Sequence, residues 1–204
     1  MTNIYPHIWC YQLSYVEGSP FRDLRIRQAA NLAIDREGIV RLLNGMAAPA
    51  KGMVDPGHPW FGTPAFDIGH DPDQARRLLA EAGFGPRNPM RIRLIIAPSG
   101  SGQMQPLPMN ELIQQNLRAV GIEAELDVMD WEALRQCRRL GAEAPENRGA
   151  HGINNSRAFW DPDIGLLGPA RACAVHRPQA RRLQLGRLPR PARGRAGAGG
   201  PAHL

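Results

Sequence analysis

The chain has 204 residues, 43% of them hydrophobic, which is enough to bury the core of one domain. It lacks the run of roughly eighteen apolar residues that a membrane-spanning helix needs, the basic and apolar regions of a signal peptide, and any CxxC pair for a zinc site. The formal net charge of +6 is unevenly placed, since residues 171–204 hold eight arginines and no acid, whereas the rest of the chain holds 17 basic and 19 acidic side chains.

A strand and two short helices are predicted at the start of the chain. The apolar and aromatic residues 8–16 predict the strand. Asp23 and Asp35 each precede residues with helical spacing of apolar side chains, and aspartate is a favoured N-cap. The second helix is expected to end at Gly45, because glycine commonly follows a helix C-terminus.

The next segment, residues 46–70, is rich in proline and glycine. It also contains Trp60, Phe61 and Phe66, so we expect an ordered loop that is held down by aromatic side chains. A third helix is predicted to begin after Asp71, because proline follows at the first helical position and apolar residues then line one face up to a glycine.

From Met90 onward the pattern is that of a βαβ unit. Apolar residues predict a strand through Ile96, then a helix, and then a strand with strict apolar and acidic alternation over residues 122–128. A further helix from about Asp130 to Leu140 and a strand near residues 151–156 extend this unit. The sequence therefore predicts an open α/β layer.

Five segments, in order, carry a resemblance to a known family. The run PFRDLRIRQAANLAIDR at residues 20–36 resembles the signature PFxDxRVRQAxxxAIDR of the solute-binding proteins of family 5. The segments that follow also look like that family: VDPG at 54–57, DPDQARRLLAEAG at 71–83, LRAVGI at 117–122 and WDPD at 160–163. This family comprises the dipeptide, oligopeptide and nickel receptors.

The resemblance implies a fold class and a domain organisation. Residues 8–168 are expected to form an incomplete α/β lobe of the type II periplasmic-binding-protein-like fold, since family members have two lobes, a signal peptide and two to three times the length. The strand at residues 8–16 is expected to lack a partner here, because it packs near the crossing between the lobes in the family. The Arg/Ala/Gly/Pro-rich residues 169–204 predict a disordered tail or a shifted reading frame.

The resemblance also implies a function. The chain is expected to belong to the receptor component of a bacterial ABC importer, a monomer that binds a small solute or a peptide-like ligand and delivers it to permease subunits in the membrane. Full-length members lie in the periplasm or outside the cell. No enzymatic activity, catalytic residue, cofactor or metal is expected, because no nucleophile elbow, phosphate loop or metal-ligand spacing is present.

The candidate ligand contacts come from the segment before the Asp-Pro pair. In peptide-binding relatives this segment carries an acidic residue for the ammonium group of the ligand, but residues 153–160 contain no carboxylate. A buried ammonium group without a countercharge is costly, so an anionic or neutral polar ligand is expected. Arg157 would bind its polar groups and an aromatic wall would cover it, although a core position for Trp160 and a solvated Arg157 are equally compatible with the sequence. The predicted contacts are Asn154, Asn155, Arg157, Phe159 and Trp160.

The basic tail leaves two alternatives open. Eight arginines could bind nucleic acid through phosphates, but residues 171–204 contain no aromatic side chain for base stacking, so no nucleic-acid partner is expected. Alternatively, the abrupt loss of acidic residues is typical of GC-rich codons translated out of frame, which would make the chain a truncated, non-functional product.

Overall fold

The computed structural model of the protein describes residues 7–147 and 149–158. The predicted elements are all present in this part of the chain. In order they are β1 His7–Leu13, α1 Leu24–Ala33, α2 Arg36–Leu42, α3 Pro72–Glu81, β2 Met90–Ile96, α4 Pro106–Ala119, β3 Ile122–Val128, α5 Trp131–Leu140 and β4 Gly152–Ala158, with single 3-10 turns at Pro20–Arg22 and Pro145–Asn147. The predicted tail, residues 169–204, lies outside the described residues.

Aspartate side chains begin four of the helices. The carboxylates of Asp23, Asp35, Asp71 and Asp130 accept hydrogen bonds from backbone N–H groups in the first turns of α1, α2, α3 and α5. Each bond satisfies a donor that has no partner within the helix, and such a cap stabilises a helix by about 1 kcal/mol. These caps explain why the helix starts could be predicted closely from the sequence.

The four strands form one mixed sheet in the order β1-β4-β2-β3. Strand β2 is parallel to both β3 and β4, whereas β1 is antiparallel to β4. Pairing runs from His7 opposite Ala158 to Leu13 opposite Gly152. The expectation that the first strand lacks a partner in this chain is therefore wrong, because β4 covers its whole length on one side.

Helices cover the two faces of the sheet unequally. The first face carries Ile92, Leu94 and Ile122 and packs against α1, α3 and α4 in the larger core. The second face carries Ile95, which packs with Leu134 of α5 in a smaller core. The alternation in β3 therefore places Ile122 and Ala124 in the larger core and leaves Glu123 and Glu125 exposed on the other face.

The loop at residues 46–70 differs from its prediction in one respect. Phe66 packs against the larger core as expected, but 61% of the Trp60 surface is exposed, so Trp60 is not an anchor. Polar contacts hold the loop as well, since the Lys51 ammonium group binds Asp67 at 3.2 Å and the Ile68 carbonyl at 2.9 Å. Periodicity could not separate a packed aromatic from an exposed one in a segment without regular structure.

Candidate functional site

Three parallel strands end at the same edge of the sheet. We call this the carboxyl edge: it comprises the ends of β2, β3 and β4, the start of β1, and the loop at residues 97–105 between β2 and α4. In open α/β sheets, ligands bind outside the carboxyl ends of the strands. The carboxyl edge is therefore the candidate binding site of this lobe.

Strand β4 separates from β2 as it approaches this edge. The two strands pair only at Leu94 and Ile95, and the Ser156 hydroxyl then donates to the carbonyl of Ser101 in the loop. On the side of β4 that faces β1, the pairing extends one residue beyond the strands, because the Ser14 N–H donates to the His151 carbonyl at 2.9 Å. Because backbone direction alternates along a strand, the N–H and C=O of Ser156 point away from β1, towards the edge of β4 that β2 no longer pairs with.

The loop at residues 97–105 packs closely against Ser156 on this unpaired edge of β4. Gly102 has a φ of +69°, and a Cβ atom there would lie 2.7 Å from His7 Cδ2 and 2.9 Å from the Ser156 Oγ. A Cβ atom on Gly100 would lie 2.6 Å from the Trp131 ring. Both glycines allow the backbone to pack directly on its neighbours, so the loop shape depends on them.

A buried polar group ties the same loop to β1. Gln103 is 1% exposed, and its Oε1 accepts a hydrogen bond of 2.8 Å from Trp9 Nε1. Nearby on the same face, Tyr11 Oη hydrogen-bonds to Asn110 Oδ1 and the Trp9 and Tyr11 rings meet edge to face, with centroids 5.9 Å apart. Burial raises the pKa of the Tyr11 phenol. We call Trp9, Tyr11, Gln103 and Asn110 the polar seam.

Sequence reasoning did not identify the polar seam. The available signals were the two aromatics at alternate positions of β1 and a polar residue beside a Gly-Ser-Gly segment. Neither signal shows that the two segments meet, because Trp9 and Gln103 are 94 residues apart in the sequence.

We expect the Trp9–Gln103 hydrogen bond to contribute measurably to stability. Trp9→Phe leaves the buried Oε1 of Gln103 without a donor, and Gln103→Leu leaves the indole N–H without an acceptor, so each change should cost about 1 to 3 kcal/mol. The double variant should be less destabilised than the sum of the two, with a coupling energy near 1 kcal/mol. Urea unfolding of the four proteins measures this, and strictly additive losses would contradict the contact.

The structure places two of the predicted contact residues on opposite faces of the sheet. Asn154 and Asn155 are both fully buried. The Asn154 Nδ2 donates to the Cys10 carbonyl at 3.2 Å, whereas the Asn155 Oδ1 accepts a bond of 2.6 Å from Arg138 Nη1 on α5. The sheet therefore separates the two amides, and the sequence did not reveal Arg138 as a partner.

The other predicted contacts are only partly covered. The backbone of Arg157 pairs with Ile8 near the end of β4. Phe159 and Trp160 lie outside the described residues, immediately after the strand. A ligand contact by any of the five predicted residues stays a prediction.

The helix N-termini at the carboxyl edge are poorly suited to bind an anion. Helix α5 is capped by the Asp130 carboxylate, which accepts from the N–H groups of Glu132 and Ala133 at 3.0 Å. Helix α4 starts with Pro106 and has a second proline at Pro108, so two N–H groups of its first turn are missing. Neither helix end offers the set of N–H donors that binds phosphate or carboxylate groups.

Metal-binding, membrane-spanning and enclosed ligand sites are not evident among the described residues. No three His, Cys, Asp or Glu side chains among the described residues come together as a possible metal site. None of the helices in residues 7–147 and 149–158 is both long and apolar enough to cross a membrane. A cavity of about 50 Å³ between the segment after β1 and the end of α5 is too small for a peptide, because typical ligand pockets exceed about 300 Å³.

The mixed sheet and the helices on its two faces together form an open α/β lobe. The chain belongs to the bacterial extracellular solute-binding proteins, family 5, since the model of the middle part of that family matches residues 3–164. The family resemblance predicted from the sequence, and with it the α/β lobe, is confirmed. Members of this family are binding proteins rather than enzymes.

Individual relatives agree with this assignment. A probable di/tripeptide-binding protein of Pseudomonas aeruginosa is 34% identical over 76% of this chain and 28% of its own length. Heme-binding protein A of Haemophilus influenzae is 29% identical over 75% of this chain and 27% of its own length. The chain thus spans little more than a quarter of these relatives, whose names show that the family takes chemically different ligands.

A solved structure shows the same fold. The crystal structure of an ABC transporter substrate-binding protein from Sinorhizobium meliloti superimposes with a TM-score of 0.62 at 21% identity, and the match covers 80% of this chain and 32% of that chain. This similarity supports the architecture described above.

Proposed function

We propose that this chain forms a ligand-binding lobe of the receptor of a bacterial ABC importer and that its carboxyl edge contacts a small, peptide-like solute. The proposed lobe comprises residues 8–168, followed by a separate tail at 169–204. Its partners would be the permease subunits of the importer, and it would act as a monomer outside the cytoplasmic membrane. Family membership supports the importer role, and the names of relatives support a peptide-like solute.

The unpaired edge of β4 supports the proposal about the solute. Beyond Ile153 the strand no longer pairs with β2, and the strand alternation directs the backbone N–H and C=O of Ser156 to this unpaired edge, beside the loop at residues 97–105. An extended peptide can pair with such backbone groups as an additional strand. The main-chain hydrogen bonds would supply affinity that depends little on the side chains of the solute.

We further propose that the solute is neutral where it meets this lobe. The capped and proline-blocked helix ends give an anion few donors, and residues 153–160 offer no carboxylate to an ammonium group. Arg157, Phe159 and Trp160 would then provide a hydrogen-bonding group and an apolar wall. Asn154 and Asn155 would contribute by fixing the position of the strand through their buried amides.

A backbone-directed substitution tests this proposal. Ser156→Pro removes the N–H that faces the space beside β4 while sparing the hydrogen bonds to β1, and Ser156→Ala keeps the N–H and removes only the hydroxyl group. The probe is N-acetyl-alanyl-alanine amide, titrated into the isotope-labelled full chain and followed by the NMR shifts of its backbone amides. One lobe touches one side of a solute, so we expect a dissociation constant of about 1 mM or weaker.

The wild-type chain and the two Ser156 variants are expected to differ in their NMR shifts. The wild-type chain and Ser156→Ala should show shifts at Gly102 and residues 156–158, and Ser156→Pro should not. The zwitterionic dipeptide alanyl-alanine should bind more weakly than the blocked probe. Shifts confined to other regions, or equal binding by the proline variant, would overturn the proposed contact.

A further inference from the structure

His151 joins three strands at the start of β4. Its backbone N–H donates to the Arg93 carbonyl of β2 at 2.8 Å, and its carbonyl accepts from the Ser14 N–H at 2.9 Å. Its side chain makes a third bond, because the imidazole Nδ1 accepts from the backbone N–H of Arg93 at 3.0 Å. The imidazole therefore takes the place of a backbone carbonyl in the ladder between β2 and β4.

This third bond requires a neutral imidazole with its proton on Nε2. A protonated imidazole carries hydrogens on both nitrogens, so Nδ1 could no longer accept from the Arg93 N–H and two donors would face each other. We propose that His151 is a proton-sensitive clasp, whose neutral form holds the start of β4 against β2 and whose protonated form releases it.

Burial and one neighbouring positive charge favour the neutral form of His151. Burial and then the positive charge of Arg93 lower the pKa of His151 below its ordinary value of about 6.5. Arg93 itself lies 3.7 Å from Asp127 of β3, which offsets part of that charge. On the segment from α5 to β4, Arg138 binds Asn155. Burial, and then the negative charges of Asp127 and Glu146, raise the pKa of the Cys137 thiol.

The direction of the pH effect follows from the lowered pKa. The clasp is fully formed above about pH 6.5, and its contribution is lost as the pH falls through the lower pKa of folded His151. If the proposed function holds, release of the clasp would also loosen the strand that carries Asn154, Asn155 and Ser156. A receptor outside the cytoplasmic membrane would then bind its solute less well in acidic surroundings.

Amide hydrogen exchange of the full chain tests the clasp without any solute. The measured quantity is the protection factor of the Arg93 amide relative to that of Leu117 in α4, at pH 7.5 and at an acidic pH where the NMR shifts of the His151 ring show that it is protonated. We expect a fall of about fivefold in the wild-type protein, as for the loss of one hydrogen bond. His151→Asn keeps an acceptor oxygen near the Nδ1 position without titrating, so protection should be similar at both pH values.

The variant His151→Leu and a second histidine, His7, provide two further controls. His151→Leu removes the acceptor, so Arg93 should be poorly protected at both pH values; if this variant fails to fold, the comparison of wild type with His151→Asn decides alone. Burial lowers the pKa of His7 as well, so a fall that persists in His151→Asn would assign the effect to His7 and overturn the clasp. An unchanged wild-type protection factor would overturn it too, while leaving the proposed solute contact untouched.

Discussion

Replacing Gly102 with alanine is expected to destabilise the protein by about 2 to 3 kcal/mol. The added Cβ would lie within 2.7 Å of the His7 ring and 2.9 Å of the Ser156 hydroxyl, and the backbone φ of +69° disfavours any side chain. The loop must shift to relieve these contacts, so Gln103 would be pulled away from Trp9. Denaturant unfolding measures the loss, and backbone NMR shifts at His7 and Ser156 locate it.

Gly83→Ala is the matched control for this substitution. Gly83 also has a positive φ, +88°, but a Cβ atom there would meet nothing within 4 Å. Only the conformational penalty remains, so we expect a loss of about 1 kcal/mol and no change at the carboxyl edge. Equal losses for the two variants would show that the loop does not pack closely on β1 and β4.

The second large effect is expected at Leu134, which anchors α5 to the sheet. Its side chain is 0% exposed and packs with Ile95, Ala97 and Ile153, whereas five of the ten residues of the helix are polar. Leu134→Ala should cost about 3 kcal/mol, since it removes buried methyl groups and leaves a cavity in a small core. Calorimetric or denaturant unfolding of the full chain measures this change.

Leu140→Ala provides the comparison within the same helix. Leu140 is 48% exposed, so truncation there should change stability by less than about 0.5 kcal/mol. A large loss at Leu140, or a small one at Leu134, would mean that α5 packs on the sheet through a different face.

Local chemistry explains which parts of the fold were predictable. An aspartate before an apolar run identifies a helix start because the carboxylate and the N–H groups it binds lie within three residues of each other, as at Asp35 and Gly38. The strict alternation in β3 likewise identifies a strand, because successive side chains point to opposite faces. In both cases, all the residues that determine the local structure lie within a few positions of one another in the sequence.

Contacts between distant segments explain what could not be predicted. Strand β1 pairs with β4 through backbone groups that every residue possesses, so nothing in residues 8–16 identifies the partner strand. Asn154 and Asn155 are both predicted ligand contacts from the segment before the Asp-Pro pair, yet the same alternation that identifies strands places them on opposite faces of the sheet. Their partners, Cys10 and Arg138, become evident only from the assembled sheet.

The position of β1 in the sheet has a consequence for the order of folding. The unit β2-α4-β3 is contiguous in sequence and closes over short loops, whereas β1 must find β4 at a sequence separation of 144, as between Cys10 and Asn154. Closing such a long loop is entropically costly, and non-local strand pairing is slow. We therefore expect the carboxyl edge to assemble last during folding, when β4 pairs with β1 after the unit β2-α4-β3 has formed.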